Sequence, residues 1–291
     1  MGIRIETWNI AFRKKCNGLF DKRHPFTIIK NGYKGWYADP FLFEYEKETY
    51  LFAEFFSYRL NRGLIVCSKY DNQRGDFTKF QEIINEDFHL SYPVVFEFNN
   101  KIYMLPEASE SNALYLYESI AFPYEWKRLE PVMDGLKLVD TTPIIVGDKL
   151  YALSLRLRID NHELGDLVLL EFNGKTFDIS KQGILTDDMS IARPGGEVIR
   201  EHDRFYRVSQ NCEEDYGRNI SISELSKDFI IDYSEKIIKT ITPDEINVKN
   251  SKKACGVHTY NRGKKIEVID LKFYKNVYTR VLYRIPILFK K

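Results

Sequence analysis

The chain repeats itself about every fifty residues, and this limits its possible folds more than any other feature. The repeating unit is a polar residue, a proline, an apolar strand, a short turn and an aromatic-rich returning strand. Four copies are clear: Asp39-Pro40 before FLFEYEKETYLFAE, Tyr92-Pro93 before VVFEFNNKIYMLPE, Thr142-Pro143 before IIVGDKLYALSL, and Arg193-Pro194 before GGEVIREHDRFYRVSQ. A weaker fifth is His258-Thr259 before YNRGKKIEVID. The prolines fall 53, 50 and 51 residues apart, and Thr259 follows Pro194 by 65. One unit per fifty residues is the spacing of a four-stranded propeller blade. Proline after the leading residue predicts an extended backbone where each unit begins.

Each unit continues into a third strand, at 63–69, 114–118, 166–172 and 219–225, then into a more polar outer strand, as at 77–84 and 177–184. Asn99-Asn100, Gly147-Asp148 and Arg262-Gly263 supply hairpin turns. With 20 Phe and 19 Tyr, the composition favours strands, and helical periodicity is nearly absent. The expectation is an all-β, five-bladed β-propeller with blades starting near 39, 92, 142, 193 and 258, forming one domain over 1–291. An open ring would leave an unpaired strand edge, so the segment 3–12 is expected to pair with the last blade and close it.

A formal charge of +1 gives no field suited to nucleic acid, so no nucleic-acid partner is expected. Cys16, Cys67, Cys212 and Cys255 show neither a CxxC pair nor ligand-like spacing. No metal site and no cofactor are therefore expected. Residues 1–15 mix charges into their apolar positions, and no later stretch approaches a membrane span, which sets the expectation of a cytoplasmic protein. The basic, aromatic-rich stretch 271–291 reads as a closing strand. It also suits peripheral contact with an anionic membrane.

In a propeller the first strand of every blade lines the axis, so Asp39, Tyr92, Asp140, Arg193 and His258 are expected to converge on one mouth. Polar groups there also satisfy backbone atoms, but five different ones at one repeated position favour a binding mouth. Glu54, Glu107, Arg207 and Gln210, at the ends of second strands, point toward the same place. For Glu54 the competing reading is an ion pair with Arg59 or Arg62, and for Glu107 a solvated turn acid. His24, His89, His162 and His202 read as loop residues. Trp36, Tyr37, Tyr92 and Tyr216 beside carboxylates are the makings of a sugar site, in which a ring packs on the sugar's apolar face; core packing is the alternative for each.

Five ordered motifs, Trp36-Tyr37-Ala38-Asp39-Pro40-Phe41, Ser91-Tyr92-Pro93 with Met104-Leu105-Pro106-Glu107, Val139-Asp140-Thr141-Thr142-Pro143, Arg193-Pro194-Gly195-Gly196 and His258-Thr259-Tyr260, carry a resemblance over nearly the whole chain. It resembles the propeller domain at the N-terminus of plant glucosamine inositolphosphorylceramide transferases and its stand-alone bacterial relatives. More distantly, Ala38-Asp39-Pro40 is similar to the first-blade motif of glycoside hydrolase families 43, 32 and 62. That likeness implies a base or nucleophile at Asp39. The family's second-blade Asp is replaced by Tyr92, and its third-blade Glu by Asp140.

The leading expectation is a carbohydrate-active enzyme of glycan biosynthesis, a glycosyltransferase with Asp39 as base or nucleophile and Asp140 or Glu107 as acid. Trp36, Tyr37, Glu54, Tyr92, Arg193, Arg207, Gln210, Tyr216 and His258 would bind a sugar, sugar-phosphate or nucleotide-sugar substrate, with Arg193 and Arg207 meeting its phosphate or carboxylate. The alternatives are a glycosidase acting on an oligosaccharide, and a non-catalytic glycan-binding propeller in contact with a glycan-assembly enzyme.

Overall fold

Strands such as Glu48–Ser57 and Arg62–Asp71 are apolar on both faces, which only a sheet sandwiched between two others can satisfy. Leu51 and Ala53 pack toward one neighbouring sheet, whereas Phe52 between them packs toward the other. The computed structural model describes residues 2–278, apart from 162, 163, 214 and 252. It is an all-β ring of five sheets, a five-bladed propeller.

Blade 1 comprises Gly35–Tyr45, Glu48–Ser57 and Arg62–Asp71, with an outer edge split into Asp76–Phe77 and Gln81–Ile84. Blade 2 comprises Ser91–Phe98, Lys101–Glu107, Ala113–Ala121 and Glu125–Asp134, and blade 3 Leu138–Val146, Lys149–Leu157, Gly165–Phe172 and Phe177–Thr186. Blade 4 has a broken inner strand, Arg193–Pro194 and Ile199–Glu201, followed by Arg204–Asn211, Asn219–Leu225 and Glu235–Ile241. Blade 5 is shared by the two ends of the described chain. Tyr260–Arg262 and Ile266–Tyr278 continue into Gly2–Lys14 and Thr27–Ile28, with Gly2–Lys14 antiparallel to Ile266–Tyr278 in unbroken register from Gly2↔Tyr278 to Lys14↔Ile266. The N-terminal strand thus closes the ring as expected. Residues 279–291, most of the basic stretch read as a membrane contact, lie outside the described residues.

The core is divided among the gaps between blades. One apolar cluster joins blade 5 to blade 1, another blade 1 to blade 2, and so on around to blades 4 and 5. Each blade is therefore held by its two neighbours, and a small sixth cluster of Phe41, Tyr92 and Val94 packs between the inner strands of blades 1 and 2.

The strand starts are not extended as the prolines predict. In blade 1, Ala38 pairs with Glu54 and Phe41 with Phe52, so a bulge forms at Asp39-Pro40. The same shift occurs between Ser91 and Val94 and between Val139 and Thr142. At each bulge one non-glycine residue is left-handed: Asp39 at φ +49°, Tyr92 at +48° and Asp140 at +51°. Such a conformation costs on the order of 1 kcal/mol or more per residue and persists only where surrounding structure demands it. The counterpart of Pro40 and Pro93 in blade 3 is consequently Thr141. Pro143 lies two residues farther along, opposite Ala152.

Candidate functional site

Each bulge turns its side chain onto a neighbouring blade. Tyr92 N–H donates to Asp39 Oδ2 at 3.2 Å, and Asp39 N–H donates to Asp270 Oδ2 at 3.0 Å, linking blades 5, 1 and 2. Thr259 Oγ1 donates to Asp39 Oδ1 at 2.8 Å. Asp270 Oδ1 accepts the backbone N–H groups of His258 and Thr259 and lies 2.7 Å from His258 Nδ1, while His258 Nε2 lies 3.5 Å from Asp39 Oδ1. His258 is thus an imidazole between two carboxylates, and the Trp8 indole stacks on it with ring centroids 3.9 Å apart.

Burial pushes the Asp39 carboxyl up to about 7; the His258 cation opposes the rise and Asp270 and Asp140 add to it. Burial works against the His258 cation, yet Asp270 and Asp39 raise its pKa above the ordinary imidazole value. Glu54 is pushed well up by burial first and then by Asp39 and Glu107.

These groups open into one cavity of about 430 Å³. Its wall includes Asp39, Glu54, Glu107, His258 and Arg193, with Trp8, Trp36, Phe56 and Tyr216 as apolar surfaces. Trp36 stacks flat on Phe56, with centroids 4.9 Å apart, and Arg193 lies under the Tyr216 ring at 4.9 Å. Carboxylates facing aromatic walls are a chemistry suited to gripping hydroxyls while a ring packs on a sugar face.

Several expected site residues stand elsewhere. Tyr92 is fully buried and plugs the axis: its hydroxyl lies 2.9 Å from Thr142 Oγ1, donates to Gly196 O at 3.1 Å, and accepts Gly196 N–H at 2.7 Å. Asp140 lies beneath the wall, where Arg193 Nε and Gln210 Nε2 donate to its Oδ2 at 2.6 and 2.7 Å. It holds Arg193 and does not face the cavity, and Gln210 is a buried brace for it. Arg207 is spent on Glu235 and the Ile191 carbonyl within blade 4, and Tyr37 packs on Phe55 and Phe80. Arg207 was expected at the mouth because strand ends look alike in one dimension, and Tyr37 because it is an aromatic two residues from Asp39; neither lines the cavity.

Two carboxyls differ from expectation in the other direction. Glu54 pairs with neither Arg59 nor Arg62 among the described contacts; Arg62 donates to Asn85, and Glu54 has His89 Nε2 at 3.5 Å. Glu107 does not sit on a solvated turn. It is the last residue of its strand, opposite Ser91, and is 6% exposed. Its two oxygens accept Ser91 Oγ–H and Ser109 N–H. Asp270, Thr259, Trp8 and His89 were missed. Asp270 was findable, because it follows the apolar Val268-Ile269 in the second strand of blade 5 as Glu54 follows Leu51-Phe52-Ala53 in that of blade 1.

Asp39, His258 and Asp270 bring ligand atoms within 4.8 Å of one another, the arrangement among the described residues best placed to hold a metal. The carboxylate oxygens, however, already face N–H and O–H hydrogens. That donor set holds a histidine cation more naturally than an open coordination sphere.

The sequence model of the family described as "Glucosamine inositolphosphorylceramide transferase 1, N-terminal" matches residues 27–278. The chain belongs to that family. The curated relative "Glucosamine inositolphosphorylceramide transferase 1" of Arabidopsis thaliana is 34% identical over 194 residues, covering 65% of this chain and 25% of the relative. The protein of the same name in Oryza sativa subsp. indica is 29% identical over 244 residues, covering 78% and 30%. The chain thus spans between a quarter and a third of the length of these family members. Among solved structures, the catalytic domain of a Coprinopsis cinerea GH62 α-L-arabinofuranosidase matches with a TM-score of 0.62 at 10% identity, covering 90% of this chain and 97% of that one. An α-L-arabinofuranosidase from Lactobacillus brevis matches at 0.56 and 15% identity, covering 78% and 80%. At these identities the likeness is one of fold.

Proposed function

We propose that this family member is a carbohydrate-active enzyme of glycan biosynthesis, a glycosyltransferase working by acid–base chemistry at the propeller mouth. The observation that carries the reading is the unlike condition of two carboxyls in one cavity. Asp39 is fixed by Thr259, by the Tyr92 N–H and by the His258 side chain. Glu54 is sealed among acids and keeps one oxygen without a hydrogen-bond partner. Carboxyls held differently in one site are the pattern of a divided acid and base.

Glu54, retaining its proton, is the acid: it gives that proton to the departing oxygen as the bond to the anomeric carbon breaks. Asp39 is the base, taking the proton of the acceptor hydroxyl as the acceptor oxygen bonds the same carbon. With water as acceptor the same steps amount to hydrolysis. Glu107, its oxygens already accepting two hydrogen bonds, serves to grip sugar hydroxyls. Arg193, tethered through Nε to Asp140, offers the rest of its guanidinium to a phosphate or carboxylate of the donor. The name of the relatives, a transferase, agrees with transfer over hydrolysis.

The test is a screen of sugar donors against glycan and lipid acceptors, repeated with Asp39→Asn. Loss of turnover by about 10²-fold or more is expected. A variant within about threefold of wild type removes Asp39 from the mechanism, and saturable sugar binding without turnover overturns the enzymatic reading.

A further inference from the structure

Glu54 Oε1 is walled off from solvent and has no donor at bonding distance, a costly condition for a buried oxygen. The other groups around it are acids: Asp39 on the adjacent strand and Glu107 from blade 2, with Asp140 and Asp270 beyond. The exception is His89, whose Nε2 stands 3.5 Å from Oε1.

The ring of His89 is not free to choose its tautomer. Its Nδ1 accepts the Gly63 N–H at 3.0 Å, so the neutral ring carries its hydrogen on Nε2, facing Glu54. Glu110 Oε2 takes the His89 backbone N–H at 2.5 Å and fixes the segment. Gly63 is part of the same arrangement: a Cβ there would lie 2.6 Å from Glu54 Oε1 and 2.9 Å from His89 Cε1. Only glycine lets the backbone N–H, the imidazole and the carboxyl meet.

We propose that His89 is a positioning residue for Glu54, presenting Nε2–H to Oε1 and so leaving the acid hydrogen on Oε2, the oxygen that is not walled off. This rests on the reading of Glu54 as the acid. The role is positional because His89 Nδ1 is taken by a backbone hydrogen, which closes the ring to proton relay.

Imidazole ¹⁵N NMR of the full chain reads the tautomer without substrate or substitution: a hydrogen on Nε2 is expected, and a hydrogen on Nδ1 overturns the proposal. His89→Phe keeps a flat ring and removes the donor, whereas His89→Gln retains an N–H. The infrared carboxyl band of Glu54, identified by its loss in Glu54→Gln, shifts in His89→Phe; an unmoved band overturns the assignment. With a turned-over substrate, kcat of His89→Phe falls by about tenfold with KM within about twofold, as expected when the one donor facing the acid is lost, and His89→Gln regains most of it. A kcat for His89→Phe equal to that of wild type also overturns it. Absence of turnover in wild type would remove the enzymatic reading, while the tautomer and the carboxyl band still decide the role of His89.

Discussion

Two regions of this propeller bury charge, and they do so in opposite ways. In blade 5, Glu267 is fully buried and accepts Arg13 Nε at 2.7 Å, Arg262 Nε at 3.1 Å and the Cys16 N–H. Arg262 also pairs with Glu201, and Arg13 caps the Asp21 and His24 carbonyls. Each cation there has an anion, and the network binds the closing strand to its neighbours. Around the mouth, Asp39, Glu54, Glu107 and Asp270, with Asp140 beneath the wall, share two near cations among the described residues, Arg193 and His258. Balanced buried charge serves the ring, whereas an excess of acid costs stability and is retained where protons must be held or moved.

That contrast is easiest to break at Glu267. Glu267→Gln leaves the buried Arg13 guanidinium without its anion and takes one of two anions from Arg262, and is expected to destabilise the fold by about 3–5 kcal/mol, read as a lowered urea midpoint. The matching change at the mouth, Glu54→Gln, is expected to leave the midpoint at neutral pH unchanged or raised while lowering turnover by about 10²-fold. A destabilisation as large as that of Glu267→Gln would erase the distinction.

The pH dependence sharpens it. Asp39 and Glu54 have folded pKa values above the ordinary carboxyl range, so the folded protein binds these protons more tightly than the unfolded chain. The stability they contribute is fully present below about pH 4 and is lost as pH rises through about 7 and beyond. Thermal midpoints should therefore fall between pH 5 and 8, and Asp39→Asn should flatten that slope. The smallest effect is expected at the axis. Tyr92→Phe removes a hydroxyl that ties blade 2 to Thr142 and Gly196 and is expected to cost about 1–2 kcal/mol without changing sugar affinity.

The blades were legible because repetition is a one-dimensional signal: Asp39, Tyr92 and Asp140 recur, and the closing strand follows from the need to pair an edge. Convergence of Asp39, Arg193 and His258 on one mouth followed from the same repeat. Roles were less legible. Asp39 and Asp140 occupy the same bulge with the same φ, yet one faces the cavity and the other lies under Arg193, because an arginine follows in one neighbouring blade and not in the other. Glu54 and Arg207 both sit in second strands, and alternation along the strand does not tell which neighbour each will meet.

The sequence alone determined a ring of five modules and the kinds of side chain delivered to its axis, since strand period and repeat length are local properties. Which carboxyls burial and neighbouring acids push up, which tyrosine plugs the axis and which histidine stands behind Glu54 were decided only in three dimensions. Those outcomes depend on burial and on partners that blades far apart in the chain bring within a few ångströms of each other.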